Sequence, residues 1–206
     1  MIAGLDATDE GSVVTRVRRS DQMPCGMVYQ EVDACLLPWR TNLANATLAL
    51  EIGGHSRDKR EALARDVVER FSLPVPLDRK PSTSSGGERQ MVCILRAALA
   101  SPAVLILDEP FSRLDPSSLW TWRRFVRRFT MENHCACMVI THNPDDALLV
   151  ADDVHIMWRL GAEGSRIRCS LEVQTQAERD ADWLETEECS RLRAEIRSAF
   201  DRAYRP

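Results

Sequence analysis

The sequence predicts an α/β fold built around a buried parallel sheet, and three observations carry that expectation. The run Val104–Leu107 is short, apolar and unbroken, as expected of a strand covered on both faces, and it ends in two adjacent carboxylates, Asp108 and Glu109. A helical run and a second apolar strand, Ala136–Ile140, follow within about forty residues, the strand–helix–strand spacing that forces parallel pairing. Ser85-Gly86-Gly87 stands before another helical run, Glu88–Ala100. Such a helix start offers free amides, a positive dipole end and no Cβ in the way, which suits a phosphate.

Taken in order, residues 1–26 read as a helix end, a turn over Asp6–Gly11 and a strand over Ser12–Val17, with Arg16, Arg18 and Arg19 on a solvated edge. Met27-Val28-Tyr29 is a short strand that delivers Gln30. The loop Leu36-Leu37-Pro38-Trp39-Arg40 is too apolar for full exposure, so it either folds back on the core or receives a partner. Residues 41–73 read as helical, with Leu43, Ala46, Leu48 and Leu50, then Leu63, Val67, Val68 and Phe71, at helix spacing on either side of Gly53-Gly54. Pro74, Pro76 and Pro81 exclude a helix from the lead-in to Ser84.

Past Asp115, Ser117–Met131 is an amphipathic helix with Leu119, Trp122, Phe125, Val126 and Phe129 on one face. Arg123, Arg124, Arg127 and Arg128 crowd the other, a solvated face rather than a nucleic-acid patch in a chain of acidic total charge. Cys135–Ile140 reads as a buried strand, in which Cys135 and Cys137 serve as small hydrophobes and not, with His134, as a metal set. Arg166–Val173 reads as a strand. Asp182–Tyr204 reads as an amphipathic helix with Leu184, Leu192, Ile196, Ala199 and Phe200 facing the body.

In open α/β sheets ligands bind beyond the carboxyl ends of the strands, the edge to which Asp108, Glu109 and His142 are delivered. Successive strand residues point to opposite faces, so the two acids divide the work. One is suited to holding Mg²⁺, directly or through water, and the other to polarising an attacking water.

These residues carry a resemblance. Ser85-Gly86-Gly87-Glu88-Arg89-Gln90 resembles the signature motif of ATP-binding cassette (ABC) ATPases, and Leu107-Asp108-Glu109-Pro110 resembles their Walker B motif with its catalytic glutamate. Ser112-Arg113-Leu114-Asp115 is similar to their D-loop, Ile140-Thr141-His142 to their switch histidine, and Met27-Val28-Tyr29-Gln30-Glu31 to their Q-loop. The order is that of the family, and the likeness runs to about Met157. Leu36–Arg40 is worded most like the nitrate/sulfonate/taurine importer branch.

The resemblance implies an ABC-type nucleotide-binding domain, a RecA-like parallel sheet with a helical signature subdomain over residues 41–100 and a strand–helix extension over residues 159–206. Residues 1–206 would form one partial domain. The implied cofactors are ATP and Mg²⁺, with Asp108 and Gln30 at the metal, Glu109 polarising the lytic water and His142 gripping the γ-phosphate. Ser85, Gly86, Gly87, Glu88 and Asp115 would bind the nucleotide across a dimer interface. The implied partners are a second nucleotide-binding subunit, like or unlike this one, and a transmembrane permease docking beside Leu36–Arg40. A periplasmic or extracellular solute-binding protein would take part indirectly. The implied place is cytoplasmic, peripheral on the inner face of the cell membrane.

Two departures qualify the expectation. These 206 residues contain no G-x-x-x-x-G-K-[ST] loop, and the lysines, Lys59 and Lys80, do not follow a glycine. Met1-Ile2-Ala3-Gly4-Leu5 resembles family sequence shortly after the start of the P-loop helix. The P-loop and first strands are thus expected before Met1, leaving an apolar unpaired sheet edge. Residues 1–206 alone should hydrolyse little ATP. Ser84 stands where the family usually has Leu, which should weaken packing under the signature loop, whereas Glu88 for Gln is a familiar variant. The function expected is the ATPase of an importer. The alternatives are a non-catalytic partner supplying only the signature half-site, or a soluble cassette protein unconnected with transport.

Composition is consistent with a globular domain: 44% hydrophobic, 28% charged and a net charge of −4, which gives no reason to expect nucleic acid. No run of about eighteen apolar residues is present, nor a basic segment followed by an apolar one at the start. Seven cysteines at irregular spacing read as free thiols.

Overall fold

Three parallel strands in the order β1-β2-β3 organise the first part of the chain: β1 (Met23–Val28), β2 (Pro102–Asp108) and β3 (Ala136–Ile140). The computed structural model describes residues 2–18, 22–159, 164–173 and 179–204. By internal contacts the chain divides into two units, Met1–Ile140 and Thr141–Pro206.

In the first unit β2 is central, with Val28 opposite Leu107 and Asp108 opposite Ile140. Its Leu105 and Leu107 are fully buried, the property read from its apolar run. Helix α4 (Gly86–Leu99) lies against β1 and β2 and buries Val92, Ile94 and Leu95 completely. Helix α5 (Pro116–Glu132) contributes an aromatic cluster in which Phe125 meets Phe71 edge-on at 5.0 Å and Trp122 at 5.3 Å. Such edge contacts add about 0.5–1.5 kcal/mol each beyond simple burial.

Residues 12–17 form no strand, because among the described residues nothing pairs with them, and Val14 is 76% exposed; Arg19 lies outside the described residues. The predicted helical stretch comprises α1 (Asn42–Ala46), α2 (Leu48–Ile52) and α3 (Arg57–Arg70), with a break at Thr47, whose hydroxyl donates to the Leu43 carbonyl. Among the described residues strand β3 is an edge, not the buried strand expected. Among the described residues only β2 pairs with it, so Cys135 before it is buried while Met138 and Ile140 stand about half exposed. Arg123, assigned to the solvated face of α5, is buried; Arg124 and Arg128 are exposed as expected. Arg70 and Arg128 both sit over the Phe71 ring and both pair with Glu132.

The second unit contains α6 (Pro144–Val150), the antiparallel hairpin β4 (Asp153–Arg159) and β5 (Ser165–Glu172), and helices α7 (Ala181–Leu184) and α8 (Glu187–Tyr204). The predicted single C-terminal helix is split because Asp180 caps α7 and Thr186 accepts the Cys189 amide to start α8. Ile196 and Ala199 are buried as expected, whereas Phe200 is 38% exposed. Arg193 of α8 donates to Asp145 of α6 at 2.7 Å. Buried Arg179 donates to the carbonyls of Leu148 and Val173 at 3.1 and 2.8 Å. All seven cysteines are free, and among the described residues no helix is long and apolar enough to cross a membrane.

Candidate functional site

Asp108 is the last residue of β2, and Glu109 follows it in a left-handed conformation with φ of 47°. Ser72, Ser101 and His134 share this backbone just past the ends of helices, whereas Glu109 adopts it at the end of a strand, where strain of this kind is found at working sites. The Glu109 amide is fixed by a 2.9 Å bond to the Ile140 carbonyl, so the turn is held by the end of β3. Glu109 has left the strand, so the alternation along a strand that the sequence suggested does not describe the pair. Asp108 is half-buried; loss of water, then the charge of Glu109, raises its carboxyl above the ordinary range. Gln30 is exposed two residues beyond β1, at the same carboxyl edge of the sheet.

The start of α4 is a capping box. Ser85 accepts the Glu88 amide at 3.1 Å while Glu88 accepts the Ser85 amide at 2.7 Å. The other Glu88 oxygen takes a bond from Arg79 at 3.1 Å, so both carboxylate oxygens already have partners. The amides of Gly86 and Gly87 are the ones the helix cannot satisfy internally. The two glycines differ. A Cβ on Gly87 would stand 2.8 Å from the Arg113 carbonyl oxygen, whereas one on Gly86 would meet nothing closer than 3.9 Å. Packing explains the absence of a side chain at Gly87; at Gly86 the space is open, as a phosphate approaching the amides requires.

Under this turn Ser84 is buried and polar-anchored. It accepts Asn42 Nδ2 at 2.9 Å and donates to the Lys80 carbonyl at 3.1 Å. Asn42 in turn donates to Pro76 at 2.9 Å. The anchor expected to be lost with Leu is replaced by a hydrogen-bonded one. Asp115 caps α5 through the amides of Ser117 and Ser118 at 3.0 and 3.1 Å. The Ser117 hydroxyl, then the Ser118 hydroxyl and amide, hold its carboxyl down at about 2.

Residues 31–40 form a pinned loop. Buried Asn45 accepts the Leu37 amide at 2.8 Å and donates to its carbonyl at 3.0 Å, and Arg96 donates to Cys35 at 2.7 Å. Leu36 is folded into the core while Trp39 is 70% exposed, so both alternatives left open by the sequence are realised by different residues. Asp33, Leu36, Pro38, Pro81 and Arg89 line a cavity of about 470 Å³ beside this loop.

His142 belongs to the second unit, between β3 and α6. There Thr141 donates to Asp146 at 3.1 Å, and its hydroxyl accepts the Asn143 amide at 3.0 Å. Thus Gln30, Asp108 and Glu109 share one sheet edge in the first unit, and Ser85–Glu88 and Asp115 flank the Gly87–Arg113 contact. Among the described residues no cluster of three or more His, Cys, Asp or Glu could hold a metal by itself. The Asp108 carboxylate, with Gln30 at the same sheet edge, suits Mg²⁺ nonetheless, because that ion is commonly held by one or two carboxylates with phosphate oxygens and water completing its shell.

Comparison with known proteins gives the family and the fold. Residues 1–112 match the ABC transporter family. The chain belongs to that family. An aliphatic sulfonates import ATP-binding protein, SsuB, of Mycobacterium sp. (strain MCS) is 36% identical over 157 residues, covering 76% of this chain and 61% of that protein. The bicarbonate transport ATP-binding protein CmpC of Synechocystis sp. is 34% identical over 176 residues, 84% of this chain and 26% of CmpC. The sulfate/thiosulfate import ATP-binding protein CysA of Synechococcus elongatus is 33% identical over 162 residues, 76% of this chain and 46% of CysA. This chain therefore spans at most about three fifths of the length of these relatives. Among solved structures, the ATP-binding cassette MJ0796 shares the fold in its dimeric form (TM-score 0.64, 23% identity, 75% of this chain and 65% of that one). It does so equally in its dimeric post-hydrolysis state bound to ADP and Pi (TM-score 0.62, 22% identity, 74% and 64%). The fold is the mixed α/β fold of ABC ATPases, with a parallel sheet and several helices.

Sequence reasoning missed Asn42, Asn45, Asp33 and Arg113. The asparagines offered a signal, since such residues on an apolar helix face must find partners once buried. Asp33 and Arg113 are 80 residues apart, and nothing in the sequence pairs them.

Proposed function

We propose that this ABC family chain is the ATP-hydrolysing subunit of an importer, coupling ATP hydrolysis to uptake of a small oxyanion of the sulfonate, nitrate or taurine kind. The observation that carries the reading is the half-buried Asp108 beside the strained Glu109 at the end of the central strand. Asp108, with Gln30, is assigned to hold Mg²⁺, which when bound neutralises phosphate charge. Glu109 accepts a proton from the attacking water, and the left-handed turn takes its backbone out of the strand that ends at Asp108. His142 is assigned to the γ-phosphate. Ser85, Gly86 and Gly87, with Glu88 and Asp115, are assigned to the nucleotide held by a second subunit, to which the open side of Gly86 gives access. Phosphoryl transfer needs positioning and charge stabilisation more than covalent chemistry, and this set supplies both. The exposed Trp39 beside the 470 Å³ cavity fits a permease contact on the cytoplasmic face of the membrane. A solute-binding protein outside would deliver the cargo. The SsuB and CysA names support import, and the branch-like wording of Leu36–Arg40 supports the solute class.

The test is ATP turnover by the protein purified from its native source with its membrane subunit. Steady turnover, lost on Glu109→Gln, supports the reading; no turnover by that assembly, or turnover indifferent to Glu109, overturns it. Residues 1–206 alone are expected to turn over little or no ATP. The absence of a G-x-x-x-x-G-K-[ST] loop from these residues favours a second reading, in which the chain lends only its signature half-site to a complete cassette. In that case Glu109→Gln is silent in the mixed assembly while Gly86→Val abolishes turnover.

A further inference from the structure

Asp33 stands in a turn whose backbone is fixed from beneath. Val32 is fully buried, the Cys35 amide donates to the Val32 carbonyl at 3.0 Å, and Arg96 holds the Cys35 carbonyl at 2.7 Å. From that base each oxygen of one carboxylate takes a different guanidinium. Arg89 Nε donates to Oδ1 at 2.8 Å, and Arg113 Nη1 donates to Oδ2 at 2.8 Å. Arg89 lies in the first turn of α4 and also donates to the Ser84 carbonyl at 2.6 Å, which places it directly under the capping box. Arg113 lies two residues before Asp115, and its own carbonyl is the atom that Gly87 approaches. Three segments distant in sequence, each leading to or from an assigned site residue (Gln30, Gly86–Gly87 and Asp115), thus meet on a single carboxylate.

We propose that Asp33 is a positioning residue that sets the spacing between the start of α4 and the 112–115 loop, so that the Gly86 and Gly87 amides and Asp115 are presented as one surface. The arrangement suits that task. Two guanidiniums on one carboxylate are charge-assisted bonds with defined directions, and losing the shared acid breaks both of those bonds together. The two arginines also hold the Asp33 carboxyl below its ordinary range, so the clamp is intact at neutral pH. Its consequence for catalysis rests on the function proposed above; the spacing itself does not.

The decisive measurement is amide hydrogen exchange, read by mass spectrometry on the 206-residue chain under native conditions, where local opening reports separately from global unfolding. Asp33→Asn is expected to raise exchange in both residues 86–90 and residues 111–116, by about 2- to 5-fold, the scale of an exposed ion pair. Arg113→Gln should raise exchange in residues 111–116 alone, and should add nothing there once Asp33 is Asn. Asp33→Glu, which keeps the charge, should restore most of the protection in both segments. The proposal is overturned if Asp33→Asn loosens only one segment, if Arg113→Gln keeps its full effect in the Asp33→Asn background, or if Asp33→Glu behaves like Asp33→Asn. In the assembled ATPase, Asp33→Asn should lower kcat several-fold with KM for ATP unchanged. Should the unmodified assembly show no turnover, the proposed function fails while the exchange experiment still decides the role of Asp33.

Discussion

Gly87 and the Arg113 carbonyl oxygen are so close that a Cβ on the glycine would stand 2.8 Å from it. Backbone rather than a flexible side chain blocks the space, so Gly87→Ala must push the 112–115 loop away from α4. We expect a loss of about 1–3 kcal/mol in urea denaturation, typical of overpacking. Gly86→Ala meets only ordinary contact and should be neutral or stabilising by up to about 1 kcal/mol, since alanine reduces the freedom of the unfolded chain. A turnover defect in Gly86→Ala without a stability defect would separate ligand access from packing.

Ser84 presents the converse case. The family residue at that position, Leu, should not improve this chain, because the pocket is built for a hydroxyl between Asn42 and the Lys80 carbonyl. Ser84→Leu should lose about 1–3 kcal/mol by overpacking and by stranding a buried amide. Adding Asn42→Val should recover part of the loss. Chemical denaturation of both variants checks this, and a stabilised Ser84→Leu would contradict it.

Glu51 accepts both arms of Arg40, at 2.8 and 2.9 Å, and also pairs with Arg60. Its carboxyl is thereby drawn down to about 2, from 4.5. A folded value below the unfolded one contributes stability above about 4.5 that is lost as pH falls towards 2. Asp115, also drawn to about 2, acts in the same direction. Unfolding midpoints should therefore fall over that window, and Glu51→Gln should flatten the fall.

Asp108 has the opposite sign. Its raised carboxyl means that the folded protein disfavours the charged form, so its contribution becomes more favourable as pH falls through that raised value. Asp108→Asn should raise the thermal midpoint by a few degrees while abolishing Mg²⁺-dependent turnover in the assembly, the exchange of stability for activity expected of a working residue.

Met138 and Ile140 stand 42% and 47% exposed on β3, whose outer edge is unpaired among the described residues. An apolar open edge of this kind recruits other strands. Ile140→Lys should reduce light scattering by concentrated protein several-fold with little change in unfolding midpoint.

Local chemistry explains which features were legible. The apolar run of β2, the amphipathic face of α5 and the glycines at the head of α4 are set by neighbouring residues, and a period or a pair of glycines reveals them. Residues 12–17 misled because alternating apolar residues become a strand only where another strand pairs with them. The wording of β3 is likewise that of a buried strand, and although an open apolar edge was expected, only the neighbours of β3 decide that the edge lies there.

The sequence by itself determined the family, the order of its motifs and the acid pair at the end of β2, because these depend on residue type and short spacing. Tertiary structure alone decided that Glu109 turns left-handed against Ile140, that Asn42 and Ser84 share one buried bond, and that Asp33 joins Arg89 to Arg113. Each of those unites segments far apart in the chain, and such a contact exists only once the fold has brought its partners within hydrogen-bonding distance.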